Sequence, residues 1–257
     1  MPTTTKNIIS CRNSAYPTLE EALRMLPDAG IRHVELSEVA SEDLANVQKL
    51  AHQCGITIAT VGYNLNLSDK KSVDDLYALL AAVANVGVKR VFSSVGADSV
   101  ADRKDVMGRL AKAAQKAADL KVVICMETHR PFGHNAQEAV RTVKEIDSPG
   151  LRINFDTANI YYYNRDCTAV EELQRAASFV GSVHLKDTDG GYESGNFPVL
   201  GQGVVDFPEV FRILGAAGIH DPLTLELEGP LTQGKSLTER HNAVKACTEY
   251  LRSIGVA

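Results

Sequence analysis

Val122–His129 reads VVICMETH, Arg152–Asn159 reads RINFDTAN, Ser182–Asp187 reads SVHLKD and Leu223–Gly229 reads LTLELEG. Each is a short apolar run closed by a side chain that carries a donor oxygen or nitrogen. Short runs of aliphatic and β-branched residues, too brief for a helix, read as buried strands. The strands predicted here are Val122–Met126, Arg152–Phe155, Ser182–Leu185 and Leu223–Leu225. Working outward, the first half of the chain has similar runs at Asn7–Ser10, His33–Leu36, Thr57–Val61 and Arg90–Ser93, giving eight candidate strands.

Between the runs, apolar residues recur at helical spacing, as in Leu76, Leu79, Leu80 and Val83, or Val170, Leu173, Ala176 and Ala177. Thr18 with Glu21, Thr168 with Glu171 and Ser236 with Glu239 have capping-box spacing, and Asn135 with Glu138 and Asp206 with Glu209 are variants of it. Strict strand–helix alternation implies a parallel sheet. Eight units favour closure, so the expected fold is α/β, a single (β/α)8 TIM barrel over residues 1–257. The length agrees with the ~250 residues usual for that fold. An open doubly wound sheet is the alternative, but Ile8–Thr18 contains no GxGxxG and the chain has no GxxxxGK[ST]. The longest connection, Asp187–Val205, carries five glycines and follows a strand, which puts it on the face where such barrels keep their sites.

Composition narrows the partners. The formal net charge is -5 and no basic run is present, which argues against nucleic acid. Cys11, Cys54, Cys125, Cys167 and Cys247 are scattered without CxxC spacing, so neither a disulfide framework nor a thiolate zinc site is expected. The opening MPTTTKNIIS has no signal-peptide pattern, and no stretch approaches the ~20 apolar residues that span a bilayer. A cytoplasmic protein without membrane contact is expected; a homo-oligomeric state is left open.

Side-chain parity singles out the chemistry. Along a strand, alternate residues face opposite sides. Ile124 and Met126 oppose Cys125 and Glu127; Ile153 and Phe155 oppose Asn154 and Asp156; Val183 and Leu185 oppose Ser182, His184 and Lys186; Leu223 and Leu225 oppose Thr224 and Glu226. The bulky set suits packing against helices, so the polar set faces the barrel axis. Taken singly, an inward histidine is an ordinary core residue and a strand-end glutamate an ordinary loop charge. Three carboxylates crowded with one imidazole would repel unless a cation neutralised them. Glu127, Asp156, His184 and Glu226 are therefore the expected ligands of one divalent metal ion. The oxygen-rich set suits Mn²⁺ first, with Mg²⁺, Co²⁺ or Zn²⁺ as alternatives.

The motifs METH, FDTAN, HLKD and LELEG, with GQGVVDFPEVFRIL between the last two, resemble those of the sugar isomerase/epimerase superfamily with the xylose-isomerase-like barrel. The resemblance implies a small-molecule sugar or sugar derivative as substrate. It also implies that Glu127 and Glu226 act as the acid/base pair, one removing a proton beside a carbonyl and the other returning it. His129, Asn159, Lys186 and Glu35 are the expected substrate-binding residues, with Asn64 near the same mouth. For His129 the alternative is a surface loop position, and for Lys186 a salt bridge to a neighbouring carboxylate. Two departures stand out. Asn159 occupies a place where many relatives carry histidine, and the RPFGHN after METH brings no acid until Glu138. Both count against a strict ketose 3-epimerase assignment. The leading expectation is a metal-dependent isomerase or epimerase working through an enediolate. The alternatives are a lyase or dehydratase acting on an inosose or keto-glycoside by β-elimination, with His129, His134 or Lys186 as acid, and a non-catalytic sugar-binding barrel.

Overall fold

The structure is a computed structural model that describes residues 6–98 and 103–257. Residues 1–5, which open the stretch read for a signal peptide, lie outside the described residues. Eight parallel strands close into one barrel in sequence order, and the first, Ile9–Arg12, seals it by pairing with the eighth, Leu223–Leu225. The others are His33–Leu36, Thr57–Gly62, Arg90–Ser93, Val123–Glu127, Leu151–Asp156 and Val180–Leu185. Helices fill the connections, so the expected (β/α)8 TIM barrel is the observed fold.

All five helix starts form as expected. Thr18, Asn135, Thr168, Asp206 and Ser236 each accept a hydrogen bond from the backbone N–H three residues on, and Ser236 with Glu239 makes the complete reciprocal box. The parity argument also holds. Ile124, Met126, Ile153, Phe155, Val183, Leu185, Leu223 and Leu225 are buried in the hydrophobic layer between barrel and helices. Burying each such side chain stabilises the fold by ~1.5–3 kcal/mol. Inside, the small polar set bonds across strands: Ser10 with Thr224 at 2.7 Å, and Ser182 donating to Asn154 at 2.6 Å. Asp156 and Thr224 are the register partners of His184 on its two sides, which puts three neighbouring strands' inner residues on one level.

Several strand ends shift by one or two residues from expectation, and the first strand starts at Ile9 rather than Asn7. The first strand runs two residues further than Asn7–Ser10 and ends at Arg12. At a barrel mouth the inner positions need no bulk, so Ser10 and Arg12 alternate inward where apolar periodicity has already stopped. The loops after the third and fourth strands also add a small parallel pair, Leu65–Asn66 with Val95–Gly96, at the mouth. The long connection from Asp187 to Val205 forms no helix or strand, but it is tightly held. Asp187 Oδ2 accepts from the amides of Gly201 (2.8 Å) and Gly203 (2.9 Å), and Oδ1 from those of Thr188 (2.9 Å) and Val205 (3.2 Å). Gly203 permits this: a Cβ there would lie 2.2 Å from the Thr188 carbonyl oxygen.

Candidate metal centre

Glu127 ends the fifth strand, Asp156 ends the sixth, His184 is the penultimate residue of the seventh, and Glu226 follows the eighth. One donor atom from each lies within 4.8 Å of the others, and all four residues are buried. They are brought together by four successive strands at the C-terminal end of the barrel.

Each side chain is held by named partners. Asp156 Oδ1 accepts from the backbone N–H groups of Ala158 (2.8 Å) and Asn159 (3.0 Å) where the helix Asn159–Tyr163 begins. Its Oδ2 is fully enclosed and accepts no hydrogen bond; Lys186 Nζ lies 2.8 Å away but outside hydrogen-bond geometry. Glu127 receives the Ser94 hydroxyl on Oε2 and the Asn159 amide on Oε1 at 3.2 Å. Glu226 is paired with Arg12 through Oε1 and with Lys186 through Oε2 at 2.8 Å. His184 Nδ1 is 3.2 Å from Glu226, its Nε2 is 2.9 Å from Glu35, and Phe92 packs against its ring.

A divalent ion fits this arrangement on charge. Glu35, Glu127, Asp156 and Glu226 are four buried carboxylates, faced by the two permanent cations Lys186 and Arg12. With His184 neutral, two negative charges remain. Asp156 Oδ2, ion-paired with Lys186 but accepting no hydrogen bond, is a donor of the hard type that Mn²⁺ or Mg²⁺ prefers. Glu35 takes Nε2 of His184, so Nδ1, which faces Glu226, is the nitrogen that could bind a metal; a carboxylate behind a metal-binding imidazole is the usual support for such a ligand.

The side chains alone carry the strain of this crowding. Burial and the Glu226 charge raise the Glu127 pKa, and burial with the neighbouring glutamates pushes that of Asp156 up to about 7 despite Lys186. Burial opposes ionisation of Glu226 as well, but Lys186, His184 and Arg12 together hold its carboxyl well below the usual range. Burial would lower the His184 pKa, yet Glu35 and Glu226 raise it well above the ordinary imidazole value.

The other expected residues fall in distinct places. Asn159 is buried beside Glu127 and lines a cleft of about 490 Å³ whose wall includes Tyr162, Tyr163, Phe197 and Glu228. His129 lines a second cleft of about 360 Å³ with Asn64 and Ser94, and its ring meets Tyr163 edge-on at 5.0 Å. Lys186 forms the salt-bridge alternative, to Asp156, Glu226 and Glu228. Glu35, expected among the substrate contacts, lies deeper: it is fully buried behind His184. Its place inside the second strand, one residue before the end, sets that depth. His134 lines neither cleft. Sequence reasoning missed Arg12, Ser94 and Glu228. Glu228 shares the parity of Glu226 two residues earlier, and Arg12 that of Ser10, so a signal existed for both.

With this geometry in view, comparison places the fold within a known group. A family model described as xylose isomerase-like TIM barrel matches residues 23–254, and the chain belongs to that family. It is 24% identical over 237 residues to an L-ribulose 3-epimerase of Mesorhizobium japonicum, covering 83% of this chain and 77% of that protein. It is 28% identical over 119 residues to an L-ribulose-5-phosphate 3-epimerase of Escherichia coli, covering 46% of this chain and 40% of that protein. Among solved structures, a D-psicose 3-epimerase of Clostridium cellulolyticum in complex with D-tagatose superposes with a TM-score of 0.78 at 16% identity, over 96% of this chain and 98% of that one. At that identity the likeness speaks for the fold.

Proposed function

We propose that this protein is a divalent-metal-dependent isomerase or epimerase of a sugar or sugar derivative. The observation that carries the reading is the buried cluster of Glu127, Asp156, His184 and Glu226, whose donor atoms lie within 4.8 Å of one another at the C-terminal end of the barrel. The similarity to sugar 3-epimerases supports the same substrate class. The four residues would hold one divalent ion, Mn²⁺ first among the candidates, which when bound supplies Lewis-acid polarisation of a substrate carbonyl.

In this proposal the chain's own groups move the proton. Glu127 and Glu226 belong to strands separated by two others and flank the centre from different sides. One carboxylate takes the proton from the carbon beside the carbonyl, leaving the electron pair delocalised onto the carbonyl oxygen. The other returns a proton to the opposite face for epimerisation, or to the neighbouring carbon for isomerisation. Asn159 and Ser94 orient Glu127, while Arg12 and Lys186 orient Glu226. Aromatic walls at Tyr163 and Phe197 help to keep water from the carbanionic carbon.

The reading is tested by incubating metal-loaded protein with ketoses in D₂O and following deuterium at the carbon beside the carbonyl by NMR. Exchange is expected for the wild type, with a loss of ~10³-fold or more in Glu226→Gln, the scale for removing a group that acts at the reacting atoms. Undiminished exchange in the variant would defeat the acid/base role. Loss of a β-oxygen substituent in place of exchange would turn the assignment to elimination.

A further inference from the structure

Barrels of this kind commonly bind phosphate with the loops after strands seven and eight and the N-terminus of a short extra helix. Two of these three places here are filled by the chain's own carboxylates, and the third is flanked by one. After the seventh strand, the amides of Thr188, Gly201, Gly203 and Val205 all donate to Asp187. After the eighth strand, the short turn Gly229–Leu231 is preceded by Glu228 and contains Pro230, which has no N–H to offer. The first amides at the helix Asn159–Tyr163 are taken by Asp156.

The two cations beside the carboxylate cluster are committed as well. Lys186 is divided among Asp156, Glu226 and Glu228, and Arg12 is held by Glu226 and Glu35. Arg130 donates to the Tyr163 carbonyl and the Tyr192 hydroxyl, Arg165 stacks on Tyr192 at 4.0 Å, and neither lines a cleft. Neither cleft beside the centre is lined by a lysine or arginine, and each contains an acid: Glu228 in the larger, Asp98 in the smaller. The larger has Tyr162, Tyr163 and Phe197 as walls, with Asn159, Gln233 and Glu228 as polar groups. Flat aromatic faces match the C–H faces of a sugar, and amides with a carboxylate match its hydroxyls.

We infer that the substrate is an uncharged, unphosphorylated ketose or keto-polyol, bound in the cleft between Tyr162, Tyr163, Phe197 and Glu228. The inference rests on the function proposed above and narrows its substrate class. A phosphate dianion carried into the larger cleft meets the like charge of Glu228, and among the described residues no lysine or arginine lines that cleft to receive it. Glu228 is thereby a specificity-determining residue: it accepts sugar hydroxyls and repels phosphate.

Equilibrium binding separates this inference from the catalytic reading. Metal-loaded protein is titrated calorimetrically with L-ribulose and L-ribulose-5-phosphate, and with D-fructose and its terminal monophosphate. At least one free sugar is expected to bind about tenfold or more tightly than its own phosphate, and Glu228→Lys is expected to reverse that preference. A phosphate that binds as tightly as its free partner in every pair, or no binding by any of the four, overturns the inference. So does an unchanged preference in Glu228→Lys while the variant keeps the wild-type melting temperature. Deuterium exchange on the same sugars reports on the proton-transfer reading, whichever way the binding falls.

Discussion

The strands of the second half of the barrel end in Glu127, Asp156, His184 and Glu226, whereas those of the first half, with the loop after the fourth, bring Arg12, Glu35 and Ser94 against them. One half offers donor atoms to the centre; the other fixes the direction in which the donors point. Glu35 and Arg12 hold His184 and Glu226 across the barrel seam, and Ser94 holds Glu127 from the fourth strand's side. The division teaches that a centre of this kind is a property of the closed barrel. Strands five to eight carry the four candidate ligands, but the orientation of three of them depends on strands one to four.

The largest effects should come from the donor half, with Glu226→Gln as the reference. A change in the supporting half should cost less. Glu35→Gln keeps the volume and removes the charge behind His184, and is expected to weaken divalent-metal binding by ~10–100-fold, the range for losing such a support. Calorimetric Mn²⁺ titration at fixed pH checks this. A loss as great as that of a direct ligand would erase the distinction between the halves.

The smallest effect should come from the loop that frames the mouth. In either orientation, Asp187→Asn puts an amide N–H₂ where a carboxylate oxygen now accepts from two backbone N–H groups. One or more buried donors are left unpaired, at a cost of ~1–3 kcal/mol. Urea unfolding and limited proteolysis between Asp187 and Val205 should report lower stability and faster cleavage, with metal affinity nearly unchanged. A large loss of metal affinity would move the loop from frame to centre.

The same contrast explains what was legible in the sequence. Glu127, Asp156, His184 and Glu226 could be read because each closes an apolar run on the polar parity, a pattern set by strand geometry alone. Capping residues were equally plain, since their partners lie three positions away. Arg12 escaped because apolar periodicity ends before the strand does. Ser94 lies just past its strand, where parity no longer fixes direction, and its partner is 33 residues away. Glu35 was expected at the mouth among the substrate contacts but lies behind His184, because depth along the axis depends on barrel shear. Lys186 carried both alternatives from its parity, and only the positions of Asp156, Glu226 and Glu228 select the salt bridge.

The central claim is that these four strand-end residues hold one divalent ion. It is tested most directly by titrating Mn²⁺ into chelator-treated protein and counting bound ions by electron paramagnetic resonance, for the wild type and for Asp156→Asn, which alters the one buried carboxylate oxygen among the described residues that accepts no hydrogen bond. One ion per chain is expected in the wild type and a loss of affinity of at least ~100-fold in the variant, the scale for replacing a charged ligand by a neutral one. A wild type that binds no ion stoichiometrically, or a variant that binds as tightly as the wild type, would contradict it.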